Sequence, residues 1–157
     1  MCALLFCAAS LCAQTPPDLE PKTAPAFVRK DLSGQKVALK AYRGKVVLLD
    51  FWATWCAGCQ AELPKFKAWQ KKYGTQGFVV LAVSMDDDSR PVRKTVRRLQ
   101  LDFPVVMGDA RLGDAYGGLL GLPVTYLIDR EGKVVAKFKG DSDLDAMERD
   151  IESALRQ

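Results

Sequence analysis

The stretch "LLDFWATWCAGCQAELP", residues 48–64, places Cys56 and Cys59 three positions apart at the end of an apolar run. The run itself, "KVVLLDFWA" at 45–53, has the near-continuous hydrophobicity of a central strand buried on both faces. After it, Phe66, Trp69 and Tyr73 recur at helical spacing, which predicts a helix from about Ala57 to Tyr73. Cys56 then falls just before or at the helix N-terminus. Unpaired backbone N–H groups and the helix dipole stabilise a thiolate there. Cys59 falls about one turn inside, close enough to bond to Cys56 and less exposed. An attacking thiol beside a sheltered resolving thiol is the asymmetry that thiol–disulfide exchange requires.

Two other readings of the pair are weaker. A structural zinc site needs four ligands. The chain has no histidine, and its other three cysteines, Cys2, Cys7 and Cys12, all lie near the N-terminus. A stapling role is disfavoured because so short a loop constrains little of the unfolded chain.

The chain has 157 residues, enough for one domain with a packed core. It is 48% hydrophobic and 27% charged, with a net charge of +4. That balance argues against an extended nucleic-acid surface. Residues 1–13, "MCALLFCAASLCA", read as a signal-peptide-like leader that is too short to span a bilayer. No basic residue precedes Lys22, so the usual basic start of a signal peptide is missing. Residues 14–23 read as a Pro-rich linker and 24–157 as the folded domain.

Within the domain, "DLSGQKVAL" reads as two short strands around a Ser33-Gly34 turn, and "GFVVLAVSM" at 77–85 as a second buried strand. A helix capped by Ser89 follows, with Pro91 in its first turn. Its apolar stripe is Val92, Val96 and Leu99. The basic stripe, Arg90, Arg93, Lys94, Arg97 and Arg98, is expected to be a solvated face. "FPVVMGD" reads as a short strand and "LGDAYGGLLGLP" as loop with one helical turn. "VTYLID" and "KVVAKFKG" read as a hairpin joined by "REG". A last helix is capped by Ser142 or Asp143. The order implies an α/β fold, a mixed sheet with helices on both faces.

Asp50 ends the buried strand six residues before Cys56. Burial there should raise its pKa and suit it to take the proton from Cys59 during resolution. The plainer reading is a solvated strand-end aspartate.

"DFWATWCAGC", Pro64 five residues after Cys59, and the later "GLPVTYLID" resemble a thioredoxin-fold thiol:disulfide oxidoreductase. The leader, the stretch "APAFVRKDLSGQKVALKAYRGKVVLLDFWATWC" and Glu62 resemble its TlpA/ResA-like (redoxin) branch more closely. The resemblance spans about residues 24–157. It implies a thioredoxin fold with an N-terminal strand/hairpin extension and a central αβ insertion. It also implies Cys56 as nucleophile, Cys59 as resolving thiol, and Pro123 as a cis-proline beside the disulfide. Leu122 would offer its backbone to substrate, with Trp55, Ala57 and Gly58 in the docking surface. Trp52 is expected in the core. Thioredoxins carry an Asp at the position of Asp50, where the TlpA/ResA-like branch often has Asn, and the branch carries a glutamate at that of Glu62. A surface glutamate pairing with Lys65 is the plainer reading of Glu62.

The implied activity needs no cofactor beyond a redox-active Cys56–Cys59 disulfide and no metal. Its partners would be protein thiols or disulfides and an upstream membrane electron donor, with no nucleic acid. The protein would be a monomer in the periplasm or another extracytoplasmic space, secreted or tethered through the leader. The Ala57-Gly58 dipeptide lacks both the histidine of oxidising relatives and the proline common in reducing ones; the reading favoured is a reductant, as in cytochrome c maturation or envelope redox homeostasis. Gln60 stands where a CxxCH motif has histidine, so the chain does not itself carry haem c. A thiol peroxidase and a non-enzymatic redox-gated binding module are the alternatives.

Overall fold

The computed structural model describes residues 22–140 and 142–157, so the leader and most of the linker lie outside the described residues. Its centre is a pair of seven-residue strands, β3 (Val46–Trp52) and β4 (Phe78–Ser84), buried along their whole length. They run parallel, from Val46 opposite Phe78 to Trp52 opposite Ser84. Parallel strands need a crossover, supplied here by α1 (Ala57–Tyr73). The short strand β5 (Val105–Met107) extends the sheet beyond β4. On the other side β6 (Val124–Ile128) pairs antiparallel with β3, and β7 (Val134–Lys139) with β6. The order is β5-β4-β3-β6-β7, a mixed five-stranded sheet.

Alternation along β3 divides the core in two. Val46, Leu48 and Trp52 pack with Leu63 and Phe66 of α1, Val92 of α2 (Ser89–Leu99), and Met147 and Ile151 of α4 (Leu144–Leu155). Val47, Leu49 and Phe51 pack with Leu112 and Tyr116, from α3 (Ala110–Ala115) and its end, and with an N-terminal hairpin. That hairpin is β1 (Val28–Lys30) against β2 (Lys36–Ala38), turning at Asp31, whose carboxylate accepts from the N–H groups of Ser33 and Gln35. Each fully buried large side chain contributes about 1.5–3 kcal/mol. The sheet is therefore held from both faces. The α2–β5 segment stands between β4 and β6 in sequence as the expected insertion, and β5 takes the sheet edge.

The structure moves some boundaries. Thr23 bridges Lys133 and the N–H of Val134 donates to Lys22 O, so two residues read as linker touch the β6–β7 hairpin. The cap of α2 is Asp88, not Ser89. Asp88 has the extended backbone of a cap and its carboxylate accepts from Arg90 N–H at 2.9 Å, leaving Ser89 as the first helical residue. Helix α3 starts at Ala110, because Asp109 accepts from Leu112 N–H at 2.8 Å. For α4 the cap is Asp143, bonded to the N–H groups of Asp145 and Ala146.

Candidate redox site

After β3 the chain leaves the sheet through residues 53–55 and enters α1 with Cys56 as the N-cap. The two sulfurs are bonded, with the Cα atoms 5.3 Å apart. The N–H of Cys59, one of the unpaired donors of the first turn, points at Cys56 Sγ from 3.1 Å. A negative charge on that sulfur would be stabilised by the same donor. Cys56 is 9% exposed and Cys59 1%, so an incoming group meets Cys56 first. Trp55, next to it, is 70% exposed, whereas Trp52 is wholly buried. Ala57 is exposed and Gly58 half-buried.

Asp50 shares the parity of Leu48 and Trp52, so its side chain lies on the α1 face of the sheet with Cys59 and Leu63. It is buried, and Thr125, directly opposite on β6, donates its hydroxyl to the carboxylate at 3.0 Å. Burial pushes the Asp50 pKa up to about 7; the Thr125 hydrogen bond opposes the shift and the charge of Glu62 adds to it. Glu62 lies one turn beyond Cys59 on the same side of α1. It is buried rather than a surface glutamate. Both acids are therefore buried, and they lie within electrostatic reach of each other.

The pairing of Phe51 with Val124 brings the start of β6 to the end of β3 that carries the cysteines. The Leu122–Pro123 bond there is cis. Pro123 is buried, and Leu122 packs against both halves of the core, including the cluster that holds Cys56 and Cys59.

Residues 21–137 match the AhpC/TSA family. The ResA thiol-disulfide oxidoreductase of Bacillus thuringiensis subsp. konkukian is 36% identical over 127 residues, 81% of this chain and 73% of that one. The one from Geobacillus thermodenitrificans is 39% identical over 132 residues, 83% and 75% of the two chains. Among solved structures, a thiol:disulfide interchange protein DsbE from Chlorobium tepidum superposes with a TM-score of 0.80 at 35% identity, over 86% of this chain and 96% of that one. The chain belongs to the AhpC/TSA family. Within it, this is a thioredoxin-fold thiol-disulfide oxidoreductase of the ResA and DsbE type.

The oxidoreductase also has a network that the sequence did not suggest. Asp86, just past β4, is buried and accepts from both the N–H (2.9 Å) and the hydroxyl (2.5 Å) of Thr54. Ser84 donates to the same carboxylate at 2.8 Å. The carbonyl of Thr54 in turn accepts from Gln60 Nε2 at 2.5 Å, and Gln60 Oε1 accepts from Arg98 of α2. The loop before Cys56 is thus tied to β4 and, through the first turn of α1, to the insertion. The basic stripe is a solvated face, as expected: Arg90, Arg93, Lys94, Arg97 and Arg98 are all exposed, and three of them also make contacts. Arg98 reaches Gln60, Arg93 donates to Leu32 O, and Arg90 pairs with Asp88. "MDDDSR" gave no sign that its first aspartate turns inward. The one available signal was Ser84 two residues earlier, a small hydroxyl closing an apolar strand.

Proposed function

We propose that this oxidoreductase reduces protein disulfides in an extracytoplasmic space. The observation that carries the reading is the unequal exposure of the two sulfurs at the start of α1, with a buried acid of raised pKa in β3. In the reduced protein the Cys56 thiolate attacks a substrate disulfide. A mixed disulfide forms and one substrate sulfur leaves as a thiolate. Cys59 then gives its proton to the Asp50 carboxylate and attacks Cys56 Sγ. The second substrate sulfur leaves, and the Cys56–Cys59 disulfide seen here results. Two electrons pass from the dithiol to the substrate, and an upstream membrane donor restores the dithiol. The charge of Glu62 adds to the raised pKa of Asp50 and so favours its protonated form.

Trp55, Ala57, Gly58, Leu122 and Pro123 form the surface on which the substrate strand rests. The Ala57-Gly58 dipeptide supports the reducing direction, since no histidine stabilises the thiolate further. The leader-like N-terminus and the ResA and DsbE relatives support the location and a role in keeping secreted thiols reduced, apocytochrome c among them. The test is a Cys59→Ser trap in the native envelope. Covalent complexes with secreted cysteine proteins are the expected result. Only noncovalent partners would point to a redox-gated binding module, and hydrogen peroxide consumption by the wild type would point to a peroxidase.

A further inference from the structure

The loop leading to Pro123 carries a feature the exchange chemistry does not use. Gly117 and Gly118 leave α3 with φ of +89° and +73°, a left-handed turn that side chains other than glycine resist. The turn lifts Leu120 clear of the protein: its side chain is fully exposed, unlike almost every other large apolar residue. Beneath it lies a groove of about 370 Å³, running from Pro123 to the edge strand β7.

Two charged residues line this groove, Lys137 and Lys139. Register puts them opposite Tyr126 and Val124, on one face of the sheet and two residues apart. Lysines on an edge strand often serve only to block unwanted strand pairing. Here Lys137 is held more specifically: its ammonium lies 4.9 Å from the centre of the Tyr126 ring. Among the described residues, no carboxylate pairs with either lysine. The groove therefore offers an apolar wall, a basic floor and an opening that reaches the cis Pro123 just before β6.

We propose that Leu120, Lys137 and Lys139 form a specificity subsite that favours substrate segments with acidic residues flanking the reactive cysteine. The inference rests on the protein-disulfide reading above. The occupant is an extended peptide of the substrate. Its acidic side chains face the two ammonium groups, and an apolar side chain rests against Leu120.

The test uses short peptides carrying one cysteine as a mixed disulfide with nitrothiobenzoate, flanked by Glu, Gln or Lys. Release of the coloured thiolate by the reduced full chain gives kcat/KM. The expected order is Glu, then Gln, then Lys, spanning about fivefold to tenfold at low salt, the scale of two exposed ion pairs. Near 1 M salt, where the screening length falls to about 3 Å, the preference should vanish. In Lys137→Gln/Lys139→Gln the Glu-over-Lys preference should be lost. A parallel arm replaces the cysteine by serine and reads Kd from tryptophan fluorescence, with the same order expected. If no peptide is reduced, the protein-disulfide reading fails and the binding arm still decides the subsite. Equal Kd for the three peptides, or tighter binding of the Gln peptide, overturns the subsite while leaving the reductase reading intact.

Discussion

Two loops frame the disulfide and they are built in opposite ways. Residues 53–55, ahead of Cys56, are tied down: Thr54 alone engages Asp86 twice and Gln60 once. Residues 117–122, ahead of Pro123, contain three glycines with positive φ and present Leu120 to solvent. Exchange needs sulfurs held in line, whereas recognition needs a surface that accepts varied partners. The contrast assigns fixed geometry to one loop and contact area to the other.

The strongest way to break the held side is at its sulfur. Cys56→Ser should lower turnover in an insulin-type reduction assay by about 10³-fold or more, since the thiol that remains in the site, Cys59, is almost wholly buried. Full turnover by that variant would sink the mechanism.

Next comes the acid behind the loop. Asp50→Asn should slow release of the mixed disulfide about tenfold and leave its formation nearly unchanged, as read by rapid quench. Equal effects on both steps would remove the proton-transfer role. The same group gives a stability signature. Its folded pKa, about 7, lies above the ordinary 3.8, so between these values the native state holds a proton that the unfolded chain has released. Stability is then full below about pH 4 and is lost as pH rises through 7. For the oxidised wild type, denaturant midpoints should show a loss of about 2–4 kcal/mol between pH 4 and pH 8. Asp50→Asn should flatten that slope.

Asp86→Ala should cost about 2 kcal/mol in urea unfolding, because the N–H and hydroxyl of Thr54 both lose their acceptor in a half-buried site. Leu120→Ser on the open loop should stay within about 0.5 kcal/mol of wild type in the same experiment. Similar losses from both would erase the distinction between the loops.

Much of this was legible along the chain because it rests on local pattern. The apolar run at 45–53 and the spacing of Phe66, Trp69 and Tyr73 marked β3 and α1 to within a residue. Asp50 stood out because an acid in an apolar strand conflicts with its surroundings. Asp86 and Asp88 did not, since a run of aspartates reads as water-facing until the fold shows that one turns toward Thr54 and another caps α2. Gln60 and Arg98 were further from reach. They meet only because α2 packs beside the start of α1, a contact with no local signature.

The division of labour across strands has a consequence for anyone wishing to move this site elsewhere. Residues 46–64 contain both sulfurs, both acids and the exposed tryptophan, and look like a portable cassette. A transplant of that segment would leave behind Asp86, which fastens Thr54, and Thr125, which donates to Asp50. The recipient would acquire a dithiol whose leading loop is untethered and whose buried acid is short of a donor. The redox centre is thus the property of three strand ends meeting, and it travels only with the whole sheet.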